Sequence, residues 1–195
     1  MRQKSFAYDL GYIQAALEVM ESYLLSEEVF WPLSGRPPGG SPQYPRLTLG
    51  NLLLAETRLN GYLLDPAQEA SRQRVMAEID QLRSKWMVSW ENKASRSFTV
   101  RLRMWAEFLE EYNTSPQENS DRYTYEVRLR VILRLLLTEC TVQPTEIEIL
   151  SGLDASLKSV LKMNGFIWEP EVEKAFSLED YWYLYGILPG REKKT

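Results

Sequence analysis

Apolar residues recur at intervals of three and four positions through most of this chain of 195 residues, and this spacing restricts its fold more than any other feature. The first stripe lies within residues 5–25 and comprises Phe6, Leu10, Ile13, Leu17, Met20 and Leu24. Similar stripes predict further helices over residues 48–61, 65–92, 97–112 and 121–139, with Ser5 as the N-cap of the first helix and Asp65 as that of the third. The sequence therefore predicts an all-α fold, a helical bundle of about five main helices.

The segment between the first two of these helices is rich in proline and glycine. Residues 32–46 hold five of the ten prolines of the chain, a density that neither a helix nor a strand tolerates. Loops of this length are uncommon in compact domains and often cover binding sites. Alternatively, Phe30, Trp31 and Tyr44 simply fix the loop to the surface, and the sequence leaves both interpretations open.

The residue pattern changes after Pro144, and this change divides the chain into two parts. Residues 1–143 are predicted to form the bundle domain and residues 144–190 a helical C-terminal arm packed on it, followed by a frayed tail at 191–195. Residues 146–149 fit either a helix or a strand, because so short a segment has no decisive periodicity.

The predicted arm is dense in aromatic residues. We interpret Tyr181, Trp182 and Tyr185 as an exposed aromatic patch that contacts a protein partner, because tyrosine and tryptophan are enriched at protein interfaces. Self-association as a symmetric dimer is one form that such an interface takes.

The composition excludes several kinds of chemistry. The chain has no histidine and a single cysteine, Cys140, which excludes His-dependent nucleophiles, His-ligated metal sites and disulfides within the chain. Two carboxylate pairs at helical spacing, Glu18 with Glu21 and Glu107 with Glu110, fall on or near polar faces and are interpreted as solvated. The sequence thus predicts no metal site and no cofactor, and it favours binding over catalysis.

Charge and hydropathy exclude other classes of protein. The formal net charge is −4, whereas nucleic-acid-binding proteins usually carry a basic excess. No apolar run reaches the roughly 20 residues that span a bilayer, and the basic start at residues 1–4 is not followed by an apolar signal segment. The sequence therefore predicts a cytoplasmic protein without a membrane segment.

Several polar residues occupy helix positions that the periodicity assigns to the core. The helical phase places Asp9 on the apolar face of the first helix, and Arg101 and Arg128 at the centres of the apolar faces of the fourth and fifth. Glu56, with Asn60 one turn later, lies among the leucines of the second helix. Because a buried unpaired charge costs several kcal/mol, we expect these groups to meet one another, a ligand or water.

These inward polar groups have three interpretations. The first is a structural network of ion pairs that fixes how the helices pack. The second is an interior pocket in which Arg101 and Arg128 clamp a carboxylate or phosphate, while Asp9 or Glu56 acts as a base or as a ligand for a hard cation. In the third, one or more helices are rotated from the assigned phase and the charges are solvated.

Residues 144–167 contain two short apolar segments, 147–150 and 155–163, joined by the sequence Ser151-Gly152-Leu153-Asp154. This arrangement resembles a helix-turn-helix of the winged-helix regulator kind, which implies DNA recognition. The sequence departs from that pattern where Glu148 stands four residues before Gly152, a position that is usually small and apolar. The second helix also offers only two lysines to a phosphate backbone.

The sequence leads to three functional hypotheses. The first is an interaction or assembly protein whose buried charges are structural and whose C-terminal aromatics meet a partner. The second is a binder of a small anionic molecule, or an enzyme, that uses Asp9, Glu56, Asn60, Arg101 and Arg128. The third is a nucleic-acid regulator that uses residues 144–167.

Overall fold

The computed structural model describes residues 5–190, and it has the mainly α-helical architecture that the apolar periodicity predicts. The α-helices are α1 Phe6–Leu17, α2 Met20–Leu25, α3 Leu49–Leu59, α4 Pro66–Lys85, α5 Met87–Thr114, α6 Pro116–Asn119, α7 Tyr123–Glu126, α8 Arg128–Leu136 and α9 Pro144–Val160. Within residues 5–190, no helix is both long and apolar enough to cross a membrane. The tail at 191–195 lies outside the described residues.

The first predicted helix is interrupted. Ser5 caps α1 as the sequence predicts, since its Oγ accepts a hydrogen bond from Tyr8 N at 3.3 Å. The helix ends at Glu18, and Val19 leaves the helical region with φ −118° and ψ 2° before α2 begins. The stripe of apolar residues therefore continues across a break that the periodicity does not reveal.

The boundary between the third and fourth predicted helices is displaced. Asp65 caps α4 through a reciprocal pair of hydrogen bonds with Gln68, at 2.8 and 3.1 Å. The break then occurs at Trp86, and α5 continues unbroken through residues 92–97, where the sequence predicts a gap. This segment contains neither glycine nor proline, and Ala94 and Ser97 extend the buried face of α5, so nothing stops the helix there.

The predicted fifth helix is broken into short pieces. A turn of 3₁₀-helix at Ser120–Arg122 and the single turn α7 precede α8. Helix α8 is central and packs on both α5 and α3, although a larger share of α3 is buried. The buried residues of α8 are Leu129, Arg130, Val131, Ile132, Leu133 and Leu136.

The helix-turn-helix hypothesis is wrong. Residues 144–160 form one continuous helix, α9, which passes through residues 151–154 without a turn. Residues 146–149, which the sequence left open, are helical. The rest of the arm consists of 3₁₀ turns and a small antiparallel sheet, in which β1 Lys162–Met163 pairs with β2 Gly186–Ile187.

The arm is fixed to the bundle by polar contacts from buried side chains. Arg130 on α8 donates from Nε and Nη2 to the two carboxylate oxygens of Asp154 on α9, both at 2.7 Å. Tyr123 OH donates to the carbonyl of Tyr183 at 2.6 Å, and Trp168 Nε1 donates to the carbonyl of Thr124 at 2.9 Å. The arm and the bundle thus share one continuous core.

Helices α3 and α8 approach closely at Gly50. A Cβ at this position would lie 2.2 Å from Cγ2 of Ile132, inside any tolerable contact distance. We expect Gly50→Ala to push the two helices apart and to lower the free energy of unfolding by about 1 to 3 kcal/mol, measured by chemical denaturation.

Gly152→Ala is the matched control. A Cβ there meets nothing within 4 Å, so we expect a gain of about 0.5 to 1 kcal/mol from helix propensity. Equal effects of the two substitutions would contradict the close packing at Gly50.

Candidate functional site

A cavity of about 480 Å³ lies between α1, α3, α5, the start of α8, the proline-rich loop and the arm. Its volume is within the range of sites for small molecules. The wall is mostly apolar but also carries four arginines and two carboxylates, a formal excess of two positive charges. The residues that line it are Tyr8, Asp9, Tyr12, Phe30, Pro42, Gln43, Pro45, Arg46, Asn51, Leu54, Ala55, Arg58, Arg101, Met104, Thr124, Tyr125, Arg128, Trp168 and Glu169.

The proline-rich loop forms one wall of the cavity. Its two ends are joined by a backbone bridge between Trp31 and Leu47, with N–H···O distances of 2.9 and 2.8 Å. The ring of Tyr44 packs on those of Tyr8 and Tyr12 of α1, with centroids 5.1 and 5.7 Å apart. Aromatic residues thus fix the loop to the bundle, and the fixed loop also encloses the cavity.

Arg58 and Asp9 form a buried ion pair in the cavity wall. Both residues are at most 3% exposed, and Arg58 Nε donates to Asp9 Oδ2 at 2.9 Å. Arg58 Nη1 also donates to Glu169 Oε2 at 3.0 Å, and Tyr62 OH donates to Asp9 Oδ2 at 2.9 Å. Burial opposes the charge of Arg58, but the two carboxylates outweigh it and raise the pKa of the guanidinium. The predicted inward position of Asp9 is confirmed, and its partner is a residue that the sequence analysis did not select.

Arg101 is buried like Arg58 but meets no carboxylate. It is 3% exposed, its Nη2 donates to Thr48 Oγ1 at 3.2 Å, and its Nη1 lies 3.7 Å from the sulfur of Met104. Its Nε has no hydrogen-bond partner among the described residues. Burial and, to a smaller extent, the positive charge of Arg128 lower the pKa of Arg101 to about 10. The group is therefore still a cation at neutral pH, without a counter-charge from residues 5–190.

Arg128 lines the cavity but is less enclosed than predicted. Its side chain is 19% exposed, its Nη1 donates to Glu126 Oε2 and to the Tyr125 carbonyl at 3.0 Å each, and its guanidinium stacks 3.6 Å from the Tyr125 ring centroid. The buried arginine of α8 is Arg130, two residues later. Arg128 therefore lies beside the same cavity as Arg101, as predicted, but it is half-buried rather than at the centre of the buried face.

Glu56 and Asn60 do not face this cavity. Glu56 is 8% exposed, as predicted, but its Oε2 lies 3.6 Å from Arg83 Nη2 in a separate group that includes Glu139 and Trp90. Asn60 is exposed and accepts a hydrogen bond from Arg72 Nη1 at 2.8 Å. Helix α3 is buried around most of its circumference, so its inward residues reach different neighbours. Convergence of all the selected residues on one pocket is therefore wrong.

The C-terminal aromatics do not form an exposed patch. Tyr181 and Tyr185 are half-buried: Tyr181 packs edge-on against Phe176, and Tyr185 OH donates to the Phe176 carbonyl at 2.7 Å. Trp182 packs edge-on against Tyr183, and the ammonium group of Lys158 lies 4.8 Å from the centroid of the Trp182 ring. These contacts form the hydrophobic interior of the arm. Binding of a protein partner through these three residues stays a prediction.

Several residues of the cavity wall are not apparent from the spacing of apolar residues. Arg58 lies three and four residues after Ala55 and Leu54, which also face the cavity. That spacing is a second apolar face of α3, which the leucine stripe on the first face concealed. Trp168 and Glu169 come from the arm, and no local pattern predicts that an arm residue reaches the bundle interior.

Comparison of the chain with protein-family models, with curated protein sequences and with solved structures finds no match. Inferences about function therefore depend on the geometry and charges of the cavity.

The separate group around Glu56 and Arg83 is tested through the titration of Glu56. Burial, reinforced by the neighbouring carboxylates and only partly offset by Arg83, raises the pKa of Glu56 from 4.5 to about 7. The native state thus binds more protons than the unfolded state between these values, so the free energy of unfolding falls as pH rises through this window. We expect this loss to reach up to about 3 kcal/mol.

The measurement compares the wild type with Glu56→Gln by urea denaturation between pH 4.5 and 8. The difference between the two proteins isolates Glu56 from other titrating groups, and the variant is expected to lose the pH dependence over this range. A constant difference at all pH values would contradict the raised pKa.

Proposed function

We propose that this protein functions by binding a small anionic molecule in the cavity, with Arg101 as the principal counter-charge. The observation that carries the proposal is the contrast among the three arginines that are buried within residues 5–190. Arg58 pairs with Asp9 and Glu169, and Arg130 pairs with Asp154, whereas Arg101 meets no carboxylate of residues 5–190. A buried cation without an anion is costly unless a ligand supplies one.

Other features of the cavity support the same function. Arg128 and the exposed Arg46 lie in the same wall and add positive charge. The two carboxylates that line the cavity are already engaged with Arg58. An anion in the cavity is therefore attracted chiefly by Arg101, while its repulsion by Asp9 and Glu169 is offset by their partner, Arg58.

Substituting the two kinds of buried arginine is expected to change stability in opposite directions. Arg101→Met removes a desolvated charge that has no carboxylate partner, so we expect the ligand-free protein to gain about 1 to 3 kcal/mol of unfolding free energy. Arg130→Met leaves Asp154 without its partner, so we expect a loss of about 3 to 5 kcal/mol. Chemical denaturation at pH 7 measures both. A large loss of stability in Arg101→Met would show that Arg101 is structural and would contradict the proposal.

Ligand binding is tested by thermal unfolding with a panel of anions at constant ionic strength. The panel comprises acetate, benzoate, butanoate, octanoate, inorganic phosphate and adenosine monophosphate, with chloride as the reference. A bound anion raises the melting temperature in a concentration-dependent way, because it stabilises the native state alone. We expect at least one anion to do so and Arg101→Met to abolish the effect.

The matched control is Arg103→Met, on the same helix but exposed to solvent. This variant loses the same formal charge outside the cavity, so the response to the anion is expected to remain. The proposal fails if no anion in the panel stabilises the wild type, or if both variants lose the response equally.

A further inference from the structure

The surroundings of Arg101 restrict which anions fit the cavity. Its guanidinium carbon lies 5.2 Å from the ring centroid of Phe30, and its terminal nitrogens meet the Thr48 hydroxyl and the Met104 sulfur. Thr48 is fully buried and does not line the cavity, so what Arg101 offers to a ligand head is a single guanidinium beside an aromatic ring. Such surroundings balance one negative charge, whereas a second charge would be desolvated without a partner.

Two of the backbone amides at the N-terminus of α3, the kind of donor that commonly binds phosphate, are already engaged within the chain. This helix end lies next to Arg101 because its N-cap, Thr48, accepts the hydrogen bond from Arg101. The amide of Leu49 already donates to Tyr23 OH at 3.1 Å, and the amide of Asn51 donates to Thr48 Oγ1 at 3.0 Å. These two donors are therefore not available to the oxygens of a phosphate group.

Neither Arg128 nor Arg46 supplies the second positive charge that a doubly charged ligand would need. Arg128 already donates to Glu126 at 3.0 Å, so its charge is largely neutralised within the chain. Arg46 is exposed, and water screens its charge. The unbalanced charge inside the cavity is thus that of Arg101.

The remainder of the wall is suited to an apolar group. Leu54 and Ala55 of α3, Met104 of α5 and Trp168 of the arm all line the cavity. At about 480 Å³ the cavity is far larger than a carboxylate or phosphate group alone requires. A ligand that fills it consequently buries hydrocarbon as well as its charge.

We propose that the ligand class is a monocarboxylate with an apolar body, whose carboxylate pairs with Arg101 and whose body packs on Leu54, Ala55 and Trp168. This inference rests on the proposed function, since it requires that the cavity bind an anion at Arg101. The chain contains an example of the pairing, because Arg130 holds the carboxylate of Asp154 with two hydrogen bonds of 2.7 Å.

The experiment is isothermal titration calorimetry of the full chain with octanoate, 1-octanol, octyl phosphate and inorganic phosphate at constant ionic strength. Octanoate is expected to bind roughly tenfold or more tightly than 1-octanol, because it adds a charge-assisted hydrogen bond in a buried site. It is expected to exceed octyl phosphate as well, because the second charge of the phosphate would be desolvated without a partner. Arg101→Met is expected to abolish this preference, and Arg103→Met to preserve it.

A chain-length series tests the apolar body first in the wild type and then in a variant that narrows the cavity. From butanoate through hexanoate to octanoate, the affinity for the wild type is expected to rise by about fourfold per methylene group. In Ala55→Leu, with folding checked by circular dichroism, octanoate is expected to lose its advantage over butanoate. Affinity that is independent of chain length in the wild type would overturn the inference.

The other outcomes separate this inference from the proposed function. If octyl phosphate binds as tightly as octanoate and depends on Arg101, the monocarboxylate inference fails while anion binding stands. The same holds if inorganic phosphate or adenosine monophosphate binds and no octyl compound does. If 1-octanol matches octanoate in both the wild type and Arg101→Met, or no anion binds, the proposed function fails as well.

Discussion

A guanidinium group that folding removes from water is costly without an anion nearby, and several long-range contacts of this protein offset that cost. Arg58 joins residues that are 49 and 111 positions away in the chain, namely Asp9 of α1 and Glu169 of the arm. Arg130 joins α8 to α9 through Asp154. These pairs set which surfaces of the apolar helices meet, a choice that burial of hydrocarbon alone leaves open because it is non-directional.

The cavity is the place where this pairing is incomplete. Helix α3 brings Arg58 to one side, where α1 and the arm supply its two carboxylates, and α5 brings Arg101 to another side without any. A second buried cation, Lys93, shows that the fold can satisfy such groups without a carboxylate. Its ammonium donates to the carbonyls of Ser26 and Glu28 at 2.7 and 2.8 Å. Against that background the weak set of partners around Arg101 is an exception, and exceptions of this kind are typical of functional sites.

The periodicity of apolar residues predicted the helical class, the caps at Ser5 and Asp65, and the inward positions of Asp9, Glu56 and Arg101. Each of these depends on contacts within one helix, which spacing along the chain describes. The same spacing does not show how deeply Arg128 is buried. Arg130 lies about 200° further round α8 than Arg128, and the packing of α8 on α3 and α5 with the contact to α9 buries Arg130 but leaves Arg128 half-buried.

The sequence by itself determined that this chain forms amphipathic helices, that it has no histidine chemistry, and that charged groups lie on apolar faces. Only the tertiary structure decided which of those charges meet. Asp9 pairs with Arg58, Glu56 lies beside Arg83, and Arg101 faces a cavity closed by a loop and an arm from distant parts of the chain. The physical reason is that helical phase fixes the direction of a side chain relative to its own axis, whereas its partner depends on how separate helices rotate and pack against one another.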